Sequence, residues 1–360
     1  MSNNKKKQIV LENGNKAEAH APVIVSASRS TDIPAFYTDW FFHRLKVGYS
    51  AWTNPFNGKK MYVSYEDTKF IVFWSKNPRP LLSRLDELKE KGIGCYIQYT
   101  LNDYENEKLE KGVRPLAERI ETFKLLVDKL GKGAVIWRFD PLILTDTISI
   151  DDLIRKIEFI GDSLHGYTKK LVFSFADIAS YRKVKANLEK SNINYREWDD
   201  EAMVEFASKL AELNKKWNYE LATCGEKIDF KKFGIKHNHC VDDRLIVRLG
   251  YRSPELMKFL GAEIVREQPV QQDLFATEDS QIIPNDAILL DNGAFAVINR
   301  NNKDKGQREF CGCMKSKDIG EYNTCPHLCE YCYANTSKEI AIKNWQQHKI
   351  NPYSETITGK

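Results

Sequence analysis

Six short runs rich in β-branched and aromatic residues, most of them followed by a helical pattern, constrain this chain more than any other feature. They are PVIVSAS (Pro22 to Ser28), FIVFW (Phe70 to Trp74), IGCYIQY (Ile93 to Tyr99), AVIWRF (Ala134 to Phe139), LVFSF (Leu171 to Phe175) and YELAT (Tyr219 to Thr223). Their continuous apolar character suits strands buried on both faces of a parallel sheet. Apolar repeats such as Leu116, Ile120, Phe123, Val127 and Leu130, or Met203, Phe206, Leu210, Leu213 and Trp217, mark helices that cover the sheet. Consecutive βα units predict an α/β fold. Three forms are open: a partial (βα)6 barrel, a complete TIM-like parallel barrel with two strands hidden in the sequence, or an open doubly wound sheet.

At 360 residues the chain has room for one barrel of about 250 residues plus an appendix. Residues 1–20 read as a polar N-terminal arm: Lys5, Lys6 and Lys7 are basic, but the apolar core of a secretory signal is missing. The barrel is expected over 21–250, with a hairpin insertion near 49–65 around Asn-Pro and Asn-Gly turn signals. An accessory insertion is expected over 251–303, and a cysteine-rich cluster-binding extension over 304–360. No apolar run reaches the roughly 18 residues of a membrane span, so the chain reads as a cytoplasmic protein without a membrane partner. A net charge of +4, from 54 basic and 50 acidic residues, supplies weak steering toward polyanions. Nucleic acid as a partner is therefore only weakly supported.

Polar residues gather where the strand runs end: Ser28, Arg29, Thr31 and Asp32 after the first, Lys76 and Asn77 after the second, Gln98 and Thr100 at the third, Arg138 and Asp140 at the fourth, Asp177 after the fifth and Glu226 after the sixth. Parallel strands bring these to one rim, where barrel enzymes assemble their sites. Ordinary helix capping accounts for Ser30, Thr31 and Asp32 taken singly. As a group, the charged residues are expensive to place at strand ends without partners. Arg29, Asp32, Lys76, Arg138 and Asp140 are the candidate substrate-binding or catalytic residues.

Eight cysteines in a chain without an export signal point to metal or catalytic use rather than disulfides. Cys325-Pro-His-Leu-Cys329-Glu-Tyr-Cys332 has the spacing C-x3-C-x2-C. Three thiolates on one loop hold three corners of a [4Fe–4S] cluster and leave the fourth iron open. The amino and carboxylate groups of S-adenosylmethionine can chelate that iron, so that one electron cleaves a carbon–sulfur bond. Tyr331, just before the third cysteine, is placed to lie against adenine, or simply to pack the loop. A closed zinc site is the alternative, with His327 inside the motif. Cys224, Cys240, Cys311 and Cys313 make a second candidate centre, either [4Fe–4S] or zinc, or remain separate thiols. Cys95, inside an apolar strand, reads as a buried inert thiol.

The stretch CGCMKSKDIGEYNTCPHLCEYCYAN (Cys311 to Asn335), with SASRSTDIPAFY (Ser26 to Tyr37), FWSKNP (Phe73 to Pro78), WRFDPL (Trp137 to Leu142), TCGEKIDF (Thr223 to Phe230) and Cys240-Val-Asp242, closely resembles a bacterial family catalogued as domain of unknown function 1848. That resemblance identifies relatives without a reaction. The Cys325 loop also resembles that of radical S-adenosylmethionine enzymes, including the Cys-x-x-x-Cys-x-Tyr-Cys-Tyr form of DNA photoproduct lyases. The resemblance implies Cys325, Cys329 and Cys332 as cluster ligands, Tyr331 as an adenine contact, and an electron donor such as flavodoxin or ferredoxin. In those enzymes the loop follows the first barrel strand, whereas here it follows the last. The C-terminal segment must therefore fold back over the rim of its own barrel or a neighbour's.

Overall fold

The computed structural model describes residues 5–54, 58–265 and 286–359. The six apolar runs become parallel strands: β1 (Ile24–Ala27), β2 (Phe70–Ser75), β3 (Gly94–Thr100), β4 (Val135–Leu142), β5 (Lys170–Phe175) and β6 (Glu220–Thr223). Each pairs with the next. Two short strands, β7 (Ile235–His237) beside β6 and β8 (Lys317–Asp318) beside β1, complete an eight-stranded parallel sheet in the order β7-β6-β5-β4-β3-β2-β1-β8.

Strands β1 to β7 lie in chain order, so the order reversal that defines a doubly wound sheet is missing. The closed barrel is not formed either: among the described residues β7 and β8 are edges that do not pair with each other. Closed barrels fill their interior with layers of side chains from the strands alone. Here two helices occupy the inner face instead.

The crossovers carry α1 (Ile33–Phe36) and α2 (Thr38–Val47) after β1, α3 (Leu85–Glu90) after β2, α4 (Leu116–Leu130) after β3, α5 (Ile150–Ser163) after β4, and α6 (Arg182–Lys190) and α7 (Asp200–Leu213) after β5. Right-handed crossovers between neighbouring strands place their helices on one face. The alternation of side chains agrees: Val25, Ile71, Phe73, Ile97, Trp137 and Phe173 share a core with Phe41, Phe123, Ile157 and Phe206 of those helices. The opposite strand positions, Ile24, Phe70, Val72 and Tyr96, pack instead on Ile246 and Val247 of α8 (Asp243–Gly250) and Leu256 and Leu260 of α9 (Pro254–Leu260). Local sequence fixes these helices. Ser149 and Asp152 form a capping box on α5, and Asp242 caps α8 by accepting from the Arg244 and Leu245 amides at 3.0 and 3.2 Å.

The segment read as a polar arm folds, over its described residues, into an antiparallel hairpin of Lys6–Val10 with Lys16–His20. It joins the expected hairpin of Tyr49–Thr53 with Lys60–Ser64 in a four-stranded sheet. Alternating half-buried and exposed positions along KKQIV let a polar strand dock by one face. Lys7 anchors it through Asp67 at 2.5 Å and Glu66 at 3.1 Å. After α9, Ala262–Val265, Phe295–Ile298 and Ile288–Leu289 form a small antiparallel sheet. Residues 1–4 of the arm, 55–57 of the hairpin insertion and 266–285 of the accessory insertion lie outside the described residues. Among the described residues no helix is long and apolar enough to cross a membrane.

The edge strand β8 is followed at once by Gly320, which lies on the β1 terminus. A Cβ there would meet Ser28 Oγ at 1.8 Å and Ser28 Cβ at 2.6 Å. Gly320→Ala is expected to destabilise the fold by about 1–3 kcal/mol and lower the thermal midpoint, whereas Gly306→Ala, whose Cβ meets only Asp304 Oδ1 at 3.4 Å, is expected to leave it in place. Equal midpoints for the two variants in a calorimetric scan refute this account of the β8 docking.

Candidate metal centres at the C-terminal rim

Along the inner face of the sheet, polar residues replace apolar ones toward the strand C-termini. Gln98 follows Tyr96, Arg138 follows Ile136 and Cys224 follows Ala222, each two positions on and therefore on the same face. Arg138 is buried, and its Nη1 donates to Gln98 Oε1 at 3.2 Å and to Cys240 Sγ at 3.1 Å. Its Nη2 pairs with Asp140, whose other oxygen accepts from Ser174. The Cys240 sulfur also accepts from Asn238 Nδ2 at 3.1 Å and lies 3.2 Å from Cys224 Sγ. Tyr96 Oη and Gln98 Nε2 each hold the Cys240 carbonyl at 2.7 Å. The Val241 amide donates to Cys313 Sγ at 3.4 Å.

Cys224 and Cys240 are thus in direct sulfur contact, Cys313 joins them through the Val241 amide, and Cys311 stands two residues before Cys313. Hydrogen bonds from the Cys224 and Cys313 thiols, with Arg138 alongside, hold Cys240 well below an ordinary thiol. Cys311 is lowered to about 6 by its bond from Cys313. Cys224 and Cys313, as donors to thiolates and buried themselves, are raised. Arg138 offsets the charge on Cys240, and Arg29 that on Cys311.

The second group follows β8. The Cys325–Cys332 loop folds back over the rim of its own sheet, so no neighbouring subunit is needed to bring it there. Asp32 anchors it. Its Oδ1 accepts from the Ala35 amide at 2.9 Å and Ser75 Oγ at 2.7 Å, while its Oδ2 accepts from the Lys76 amide at 2.7 Å and contacts His327 Nε2 at 2.7 Å. The other His327 nitrogen contacts the Gly112 carbonyl at 3.2 Å. The Gly112 amide returns a bond to the His327 carbonyl at 2.9 Å, and the Glu330 amide bonds the Leu109 carbonyl at 2.9 Å. Lys76 Nζ pairs with Glu110 at 2.7 Å and donates to Tyr331 Oη at 2.8 Å, and that hydroxyl in turn donates to Glu110. Burial opposes a charged Glu110, yet Lys76 and Arg119 hold its carboxyl below the ordinary value. Burial pushes the Cys325 thiol up to about 12 and Cys329 well above an ordinary thiol, the latter against the pull of Lys76. Metal ligation requires those protons to leave.

The five rim residues divide between the two sulfur groups. Asp32 and Lys76 serve the Cys325 loop, and Arg138 and Asp140 serve Cys240. Arg29 stands between, its guanidinium 5.4 Å from the Trp74 ring centroid, with Arg138 also 5.4 Å from that ring. Arg29 Nη2 and Trp74 Nε1 are buried donors without partners. Tyr331 has its hydroxyl tied down, whereas Tyr333 keeps an exposed ring and donates its hydroxyl to the Arg29 carbonyl at 2.8 Å. Cys95 stands apart from both groups and is half-buried rather than fully enclosed, and desolvation raises its thiol to about 12.

Sulfur spacing bears on what each group can hold. Thiolates about 2.3 Å from one zinc lie ~3.8 Å apart, and a cubane holds them farther apart. Neither cysteine group has three sulfurs all within 4.8 Å of one another; the set that meets this spacing among the described residues is His239, Asp242 and Asp243. The run His237-Asn238-His239-Cys240-Val241-Asp242-Asp243 carries the local signal, two histidines and two carboxylates within seven residues, but only the fold brings His239, Asp242 and Asp243 together. Glu110 and Asn102, whose amide nitrogen lies 3.0 Å from Glu110 Oε1, had no local signal.

A family model described as domain of unknown function (DUF1848) matches residues 24–334. No curated protein and no solved structure matches the chain.

Gly112 allows the closest backbone approach under the Cys325 loop: a Cβ there would lie 2.6 Å from the His327 carbonyl oxygen and 2.7 Å from that of Pro326. In metal-free protein, Gly112→Ala is expected to speed labelling of Cys329 by a thiol reagent at least severalfold while leaving Cys95 as slow as before, as read by mass spectrometry. Unchanged labelling of Cys329 would mean that Gly112 does not position the loop.

Proposed function

Because the chain belongs to the DUF1848 family, whose description names no reaction, we propose its function from the rim itself: an iron–sulfur enzyme of the radical S-adenosylmethionine type. In this reading Cys325, Cys329 and Cys332 hold a [4Fe–4S] cluster. The observation that carries the reading is a set of three thiols on one loop, Cys329 buried and Cys325 and Cys332 half-buried, whose only imidazole is already in use. His327, the one imidazole inside the loop, has both nitrogens engaged, with Asp32 and with the Gly112 carbonyl. A closed structural zinc site takes four protein ligands, whereas a site with three leaves a position for a reaction partner.

When bound, the cluster would supply one electron to the sulfonium of S-adenosylmethionine, a step beyond protein side chains. The chain's own residues do the rest. Asp32, Gly112 and Tyr331 fix the loop, and Lys76 sets a positive charge beside Cys329, which favours the thiolate a metal needs. Tyr333 offers the open aromatic face for the nucleoside, a role the sequence pattern gave to Tyr331. Arg29 Nη2 and Trp74 Nε1 present unfilled donors to an acceptor group on the substrate. Cys224, Cys240, Cys311 and Cys313 form a second metal centre, zinc or [4Fe–4S].

A second reading is a metal-stabilised binding protein without radical chemistry. It is favoured by the His239, Asp242 and Asp243 set, the one group whose ligand atoms already sit at single-ion spacing. The readings part in one experiment on the full chain. Anaerobic reconstitution is expected to give about four iron and four sulfide at the Cys325 site, and dithionite with S-adenosylmethionine to give 5′-deoxyadenosine. Cys329→Ala is expected to abolish that product, whereas Cys311→Ala with Cys313→Ala retains the Cys325 cluster. Stoichiometric zinc, no iron and no nucleoside product would falsify the radical reading in favour of the second.

A further inference from the structure

A cavity of about 500 Å³ opens between β4 to β7, α8 and residues 287–289. Its walls carry five basic side chains, Lys169, Lys170, Lys236, Arg244 and Arg248, against two carboxylates, Glu220 and Asp242. Lys170 is paired with Glu220 at 3.0 Å, and Arg248 donates to the Gly133 carbonyl at 3.2 Å. Among the described residues Lys169, Lys236 and Arg244 have no ion pair. Positive charge gathered in a concave, low-dielectric wall attracts an anion more strongly than the same charge spread over a convex surface.

His239 and Asp242 line this cavity, and with Asp243 they bring ligand atoms within 4.8 Å of one another. Asp242 uses Oδ1 to cap α8, and Asp243 uses Oδ2 to accept from Asn302 at 3.0 Å, so each keeps a second oxygen. Two further atoms point to a missing partner. His237 Nδ1 and Asn238 Oδ1 belong to cavity-lining residues and are buried without a hydrogen bond; Asn238 as a whole is 2% exposed. Buried polar atoms in native proteins are nearly always satisfied.

We propose that His239, Asp242 and Asp243 bind a divalent cation at the edge of this cavity, and that the basic walls bind a phosphorylated small molecule whose phosphate the cation bridges. One imidazole and two carboxylates suit manganese or zinc. Lys236 and Arg244 neutralise the phosphate oxygens that the cation leaves. The volume falls in the range of ordinary small-molecule sites. The proposal is independent of the cysteine chemistry, since none of its ligands is a sulfur.

The test uses the full chain freed of metal by chelation, Mn²⁺ counted by loss of its free electron paramagnetic resonance signal, and inorganic phosphate as the anion. Wild type is expected to take up about one Mn²⁺, with phosphate tightening that binding at least fivefold, in the usual range of coupling between two sites. His239→Ala, at an exposed position, is expected to weaken Mn²⁺ binding at least tenfold, and Asp243→Asn, nearly isosteric, to do the same if the first variant fails to fold. Lys236→Ala with Arg244→Ala is expected to keep Mn²⁺ binding but lose the effect of phosphate. Wild-type affinity for Mn²⁺ in folded His239→Ala and Asp243→Asn, no Mn²⁺ uptake by wild type, or no effect of phosphate on that uptake overturns the proposal.

Discussion

A parallel sheet whose strands lie in chain order receives all its crossover helices on one face, and the molecule is organised around the need to cover the other. The apolar half of that inner face, Ile24, Phe70, Val72 and Tyr96, is closed by α8 and α9. The polar half, toward the strand C-termini, is met by Cys240 and by the returning stretch around Cys313. Chain that is not part of any βα unit therefore has to cross the inner face, and it brings six of the eight cysteines to the rim or its immediate edge, where Cys224 at the end of β6 meets them. A closed barrel would leave no room for this arrangement.

Covering the rim with sulfur and charge is costly unless each group finds a partner. Asp32 illustrates how the cost is offset: one carboxylate serves the first turn of α1, the end of β2 and the Cys325 loop. Arg138 is its counterpart at the other sulfur group, linking Gln98, Asp140 and Cys240. Asp32 caps α1 just beyond β1 and Arg138 stands within β4, so each side chain reaches both a neighbouring strand and the segment above it. Arg29 and Trp74, beside them, are each left with an unfilled donor.

Much of this was legible in the sequence. The six long strands announce themselves by continuous β-branched and aromatic character, and α4 and α7 by their 3.6-residue repeat. Polar residues at strand ends located the rim, and the C-x3-C-x2-C spacing located the loop. What was hidden is tertiary. Lys317 and Asp318 form a strand only because β1 offers a free edge beside them, and no two-residue pattern can signal that. Ile235 to His237 is equally short. Glu110 lies in an irregular connection and acquires its role only when Lys76, Arg119 and Tyr331 converge on it. The N-terminal KKQIV read as an arm because its lysines dominate, although one of them is secured by Asp67 across the small sheet.

The pairing of β8 with β1 joins residues that are far apart in the chain; the Ser26 and Ser316 hydroxyls, 2.8 Å apart, are separated by 290 positions. During vectorial synthesis at about 5–20 residues per second, that separation corresponds to roughly 15 to 60 s at the ribosome. The outer edge of β1 stands uncovered through this interval, while the strands after it add to its other side. The loop bearing Cys325 emerges after the six long strands and lands on a rim whose strands have already been made. In the reading proposed above, metal would enter at that loop only after this stage, an order set by the sequence of elements along the polypeptide.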